Sequence, residues 1–112
     1  MRPPAERNRG VQLPYPALNE KEIVEKLRKE IKRFYEKLDL ALPKIYAIDS
    51  KGDDLLLMAK AYFKDTSHFL EKEDLVSAFE ALNISWGYLD AGLRTRLLKL
   101  EDEKLKEWFT ID

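Results

Sequence analysis

Between residues 59 and 92 the chain reads AKAYFKDTSHFLEKEDLVSAFEALNISWGYLDAG, with apolar side chains at intervals of three and four on either side of a short acidic turn, EKED. That interval lines one side of an α-helix, whereas a strand would repeat every second residue. The stretch therefore reads as two amphipathic helices, and a turn this short makes them antiparallel neighbours. The apolar arc of the first is broad, centred on Leu55, Ala59, Tyr62, Thr66 and Phe69. Met58 lies on one flank and Leu56, Phe63 and Leu70 on the other. An arc that wide predicts contact with two neighbouring helices, which is what a three-helix arrangement requires.

The third member precedes the hairpin. Asn19 followed by Glu22 is a capping-box pair, so a helix is predicted from about residue 20. Ile23, Val24, Leu27, Ile31, Phe34, Tyr35 and Leu38 form its apolar face, with Lys26, Lys29, Lys32 and Arg33 opposite. Pro43 ends this helix and predicts an extended Leu42, because a proline disfavours the α conformation of the residue before it. The connection over 42–51 carries Ile45, Tyr46 and Ile48 and should pack onto the bundle. Ser50 with Asp53 offers the next cap, for a helix over 52–71.

The third helix should run from 72 or 73 to 90 on Leu75, Ala78, Phe79, Leu82, Trp86 and Leu89, with Gly87 inside it and Gly92 as a natural C-cap. Beyond it, Leu97, Leu98, Leu100, Leu105, Trp108 and Phe109 mark a further helical segment, whose first part could extend the third helix through Gly92 and whose last part could form a short fourth helix closing the bundle. The predicted fold is all-α: an antiparallel three-helix bundle over 19–112 with a short additional C-terminal helical segment. Four of the five prolines fall in residues 1–18, which predicts a flexible or extended arm with Val11, Leu13, Tyr15 and Leu18 as its apolar positions.

At 112 residues the chain has room for one such core. Its 20 basic and 21 acidic residues nearly cancel, which argues against a protein that coats nucleic acid by counterion release. The absence of cysteine removes disulfides, thiol nucleophiles and thiolate metal sites. No apolar run approaches the roughly 20 residues that span a bilayer, and the first residues lack the apolar core of a signal peptide, so no membrane partner and a cytoplasmic location are expected.

Chemistry-bearing residues are few. Asp65, Asn83 and Asp90 lie on flanks of apolar faces, and an antiparallel hairpin could gather Tyr62, Asp65, Asn83 and Trp86 into a polar pocket at the core edge. Such a set either fixes helix register by hydrogen bonding or contacts a ligand or partner. His68, three residues after Asp65, has the spacing of half a helical metal site, but no second pair exists and no metal or cofactor is expected. Glycine-rich phosphate loops are absent. Arg94, Arg96 and Lys99 form the densest basic patch near the hairpin. Ile84 and Tyr88, off the core face, offer a contact for a partner, for a second copy, or for Trp108 and Phe109.

The same residues carry a resemblance. Ala61–Tyr62, Asp65, Phe69–Leu70, the acidic turn 71–74, Ala78–Phe79 and the ending WGYLDAG over 86–92 resemble an archaeal family known as domain of unknown function 357. The resemblance implies a helical bundle in an archaeal cytoplasmic protein and implies no activity. This chain departs from it at Glu73, where a glycine is expected, and at Ile84–Ser85, where the family tends toward tyrosine and alanine. Taken together, the expectation is a non-enzymatic module for protein–protein contact, including self-association as a homodimer. The alternative is an accessory domain for a small ligand or nucleic acid, using the Asp65/Asn83/Asp90 flank and the basic patch.

Overall fold

The computed structural model describes residues 18–109. All but Leu18 of the predicted N-terminal arm lies outside the described residues. Three long helices make the frame: α1 (Glu20–Ala41), α2 (Ser50–Glu71) and α3 (Leu75–Arg94). A 3₁₀ turn over Leu42–Lys44 leads into strand β1 (Ile45–Ala47). After α3 come strand β2 (Leu98–Leu100) and a second 3₁₀ turn, Glu103–Trp108. The strands pair antiparallel, with Ile45 opposite Leu100 and Ala47 opposite Leu98. The three-helix architecture is the predicted one, and its C-terminal segment is helical only as a 3₁₀ turn reached through an unpredicted strand.

Small residues bring α2 and α3 together. On α2, Gly52, Ala59 and Thr66 are buried at intervals of seven. On α3, Ala78, Ser85 and Gly92 are buried at the same interval. The Ser85 hydroxyl donates to the Ala59 carbonyl oxygen at 2.6 Å in the buried interface, and this sets the register. Antiparallel helices aligned there place Thr66 opposite Ala78 and Gly52 opposite Gly92. A seven-residue repeat keeps the seam facing its partner over the whole length of the pair. Ser85, where the family tends toward alanine, is therefore a small seam residue whose hydroxyl is satisfied across the interface. The Thr66 hydroxyl turns back to its own helix, donating to the Tyr62 carbonyl at 3.0 Å. Among the described residues no buried side-chain polar atom lacks a partner.

The strands close one end of this seam. A Cβ on Gly52 would run into the Leu97 carbonyl oxygen and approach the Ala47 Cβ to 3.1 Å, and one on Gly92 would meet Leu98 Cγ at 2.6 Å. The Leu97 carbonyl also accepts from the Ile48 N–H at 3.0 Å, so the crossing is pinned where both helices have no side chain. Gly92 is thus not a C-cap: α3 runs on to Arg94, and its glycine serves the packing of Leu98. At Gly87, by contrast, an added methyl group would meet nothing within 4 Å, and the backbone there has no positive φ to favour glycine. Gly87→Ala should raise stability by about 0.5–1 kcal/mol, read as a higher denaturation midpoint.

Helix α1 covers the hairpin on one side. Tyr35 stacks on Phe63 of α2 (centroids 4.5 Å apart) and Phe34 meets Trp86 of α3 edge-on at 6.3 Å. Ile31, Leu38 and Ala41 are its buried positions. Ile23 and Val24, predicted on the core face, are 51% and 45% exposed. The Arg28–Glu73 ion pair (2.9 Å) aligns Arg28 with the α2–α3 turn, so the turns of α1 before it run past the end of the hairpin.

Local chemistry sets the boundaries. Asn19 caps α1 by accepting from the Glu22 N–H at 2.9 Å, while the Glu22 carboxylate takes the Asn19 side-chain amide rather than a backbone donor. The cap of α2 is Asp49 and not Ser50: one carboxylate oxygen accepts from the N–H groups of Lys51 and Gly52, at 3.0 and 3.3 Å. Leu42 is helical (φ −52, ψ −46), not extended, because its N–H still bonds Leu38 and its side chain is buried, while Pro43 sits at the start of a 3₁₀ turn that needs no donor from it. Both α2 and α3 end in the same way. Asp74 N–H reaches back to Phe69 O and Glu73 N–H to Leu70 O. Likewise Leu97 reaches Gly92 O and Arg96 reaches Leu93 O. This paired arrangement needs a left-handed residue, supplied by Glu73 (φ 58) and Arg96 (φ 62). The glycine expected at 73 from the family resemblance corresponds to that backbone requirement.

Two carboxylates at these boundaries titrate low. The Ser77 hydrogen bonds hold Asp74 below the ordinary aspartate value, and the Lys44 ammonium, with the Lys104 N–H, does the same for Asp102. A depressed folded value means their contribution is complete above the unfolded pKa of about 3.9 and is lost as pH falls through the folded values. Acid titration by carboxyl NMR should show both midpoints below those of unpaired aspartates, with their contribution to stability lost as pH falls below about 4.

Candidate functional site

With α1 and the C-terminal 3₁₀ turn both on the Trp86 side, the two sides of the hairpin differ. Trp86 lies between Phe34 and Phe109, the latter near-parallel to it (8°) at 6.3 Å. Lys44 on the first 3₁₀ turn bonds Asp102 at 2.8 Å and ties the C-terminal segment down. On the opposite side, Tyr62 of α2 stacks on Tyr88 of α3 with centroids 6.0 Å apart. Both rings of the pair are half-buried. Beside it runs a shallow groove lined by Tyr62, Asp65, Phe69, Ser77, Glu80, Ala81 and Ile84.

The five flank residues therefore do not form one pocket. Tyr62 and Asp65 belong to the open groove, whereas Trp86 faces α1. Asn83 and Asp90, three residues before and four after Trp86, project along its side of α3. Asn83 is exposed and donates its amide to the Phe79 carbonyl of its own helix at 2.8 Å, and Asp90 is half-buried. The helical period explains the split, because the flank of α2 carrying Asp65 and the flank of α3 carrying Asn83 fall on opposite sides of the plane through the two axes. Ile84 and Tyr88 do share the open side with Tyr62. Trp108 and Phe109 do not reach them.

The basic residues spread out. Arg94 ends α3, Arg96 occupies the left-handed turn, and Lys99 points outward from β2 opposite Tyr46. All three are exposed, and none pairs with a carboxylate among the described residues. His68 is exposed as well, and no group of three or more metal-ligating side chains occurs among the described residues. No helix among them is long and apolar enough to cross a membrane.

One feature escaped the linear pattern. A cleft of about 210 Å³ on the covered side is lined by Arg33, Phe34, Lys37, Leu38, Trp86, Trp108 and Phe109. Its residues come from three separated segments. The hint in the sequence is that both tryptophans occupy apolar positions; Arg33, expected on the face of α1 opposite the apolar stripe, instead reaches the cleft with Lys37 one turn on, because a long side chain can bend back over the helix surface.

These features define a tightly seamed helical hairpin, braced on one side by a third helix and open on the other. Residues 24–98 match the family described as a protein of unknown function, DUF357, and the chain belongs to it. Among solved structures it is similar to protein AF1782 from Archaeoglobus fulgidus, of the same family. The identity is 32% and the TM-score 0.64, over 70% of this chain and 97% of that one. No curated protein matches the sequence.

Proposed function

We propose that the chain is a non-enzymatic protein-interaction module whose contact surface is the open side of the α2–α3 hairpin. The observation that carries this is the half-buried Tyr62–Tyr88 stack on the side of the hairpin away from Trp86, flanked by Met58 and Ile84, which are 38% and 36% exposed. Stacked tyrosines offer large, rigid contact area with polar edges, the composition favoured at the centre of interfaces. The rim of the groove is acidic, with Asp65 on one helix and Glu80 on the other. A partner segment carrying an apolar strip flanked by lysine or arginine complements both features. A second copy would bring the same two carboxylates against themselves, so a different protein is favoured over a homodimer.

The test uses the full chain and a labelled amphipathic peptide with a leucine strip flanked by lysines. Saturable binding by fluorescence anisotropy, weakened by salt and lost in Ile84→Glu, is the expected result. Light scattering should return a monomer. A dimer that dissociates in Ile84→Glu would replace the foreign partner with a second copy, and absence of both peptide binding and dimerisation would remove the open side as a contact surface. The small-ligand alternative draws its support from the cleft beside Trp86 rather than from the divided Asp65/Asn83/Asp90 flank.

A further inference from the structure

We propose that the cleft between α1, α3 and the C-terminal 3₁₀ turn binds a small planar aromatic anion, its ring against Trp86 and Phe109 and its charged group at Arg33 and Lys37. The site is independent of the open side of the hairpin. Its walls are aromatic: Trp86 and Phe109 lie near-parallel (8°) with centroids 6.3 Å apart, and Phe34 stands at 67° to Trp86. Trp108 also lines the cleft. Flat apolar faces in this number favour a ring over an aliphatic chain, because stacking and edge contacts add to the burial of apolar area.

The charge of the lining is one-sided. Arg33 and Lys37 are both present, and among the described residues no acidic side chain lines the cleft. Glu30 bonds Arg33 Nη2 at 2.7 Å, which leaves the other guanidinium nitrogens for a second acceptor. Lys37 Nζ lies 5.6 Å over the Trp108 ring and has no carboxylate partner among the described residues. A guanidinium and an ammonium one helical turn apart can grip a carboxylate or phosphate jointly, the first by paired hydrogen bonds and the second as a point charge. A cation would be repelled, and an uncharged ring would leave both groups without a new partner. The volume, about 210 Å³, suits one or two fused rings.

The chain's only two tryptophans both line the cleft, so their indole N–H signals in a ¹⁵N spectrum report on it directly. The probes are 1-naphthoate, its uncharged analogue 1-naphthamide, and adenosine monophosphate, added to the full chain. Naphthoate should shift both indole signals saturably, with naphthamide at least about tenfold weaker and Lys37→Glu or Arg33→Glu costing about tenfold or more. Ile84→Glu, on the other side of the hairpin, should change nothing. Tighter binding of adenosine monophosphate than of naphthoate would support the site and assign the anion to a phosphate. Three results would overturn it: no indole shift with either anion, naphthamide binding as tightly as naphthoate, or unchanged affinity in both charge-reversed variants.

Discussion

Gly52→Ala should destabilise the fold by about 2–3 kcal/mol, although alanine is the better helix former by about 1 kcal/mol. The added methyl group would enter the space of the Leu97 carbonyl oxygen, a backbone atom that cannot swing aside like a side-chain tip. Relief requires moving the 97–98 crossing, and with it the Ile48–Leu97 hydrogen bond and the strand pair. Thermal denaturation followed by circular dichroism should show a midpoint lowered by roughly 10–20 °C for a domain of this size. Amide exchange should show Ile48 losing protection before the helices do. An unchanged midpoint would mean that the seam does not depend on a bare backbone at this crossing. Gly87→Ala, the same substitution where a methyl group meets open space, is the control with the opposite sign.

Trp86→Ala should cost about 3 kcal/mol, near the lower end of the range for large aromatic truncations because the ring is half-buried. Its ring contacts join three parts of the chain: Phe34 on α1, its own helix α3, and Phe109 after the 3₁₀ turn. The loss should therefore be local as well as global. Amides of 103–109 should exchange faster than those of α2 and α3, since the turn would then be held by the exposed Lys44–Asp102 pair, the Lys37–Trp108 contact and the burial of Leu105, without the Trp86 ring against Phe109. Exposed ion pairs of this kind contribute little. Retained protection over 103–109 would place the anchor elsewhere. This packing is by itself a sufficient reason for a large aromatic side chain at position 86.

Much of the helical frame was legible because the apolar positions repeat at the helical interval over long stretches. The Asn19 cap was readable for a similar reason, since capping depends on residues only three apart. The failures have physical causes of their own. LKL at 98–100 alternates buried, exposed and buried, a strand signal too short to stand against a helical pattern until Ile45–Ala47 arrives to pair with it. Leu42 stayed helical because burial of its side chain and a bond to Leu38 outweighed the steric preference imposed by Pro43. The five-residue flank came apart because a flank on one helix and a flank on the next need not face the same way. Only the relative rotation of α2 and α3 decides that.

The interval of seven at 52, 59, 66 and at 78, 85, 92 was written in the sequence, yet its meaning depended on register. Small residues look like weak core positions until two helices meet along them. By itself the sequence determined the three amphipathic helices, their antiparallel hairpin and the family to which they belong, because each rests on contacts local in the chain. Only the tertiary structure decided which side of the hairpin α1 covers, which tyrosines stack on the other side, and that Arg33, Lys37 and both tryptophans share one cleft. Those outcomes depend on side chains far apart in sequence, brought together by how closely the glycine and alanine seam lets the two helices approach.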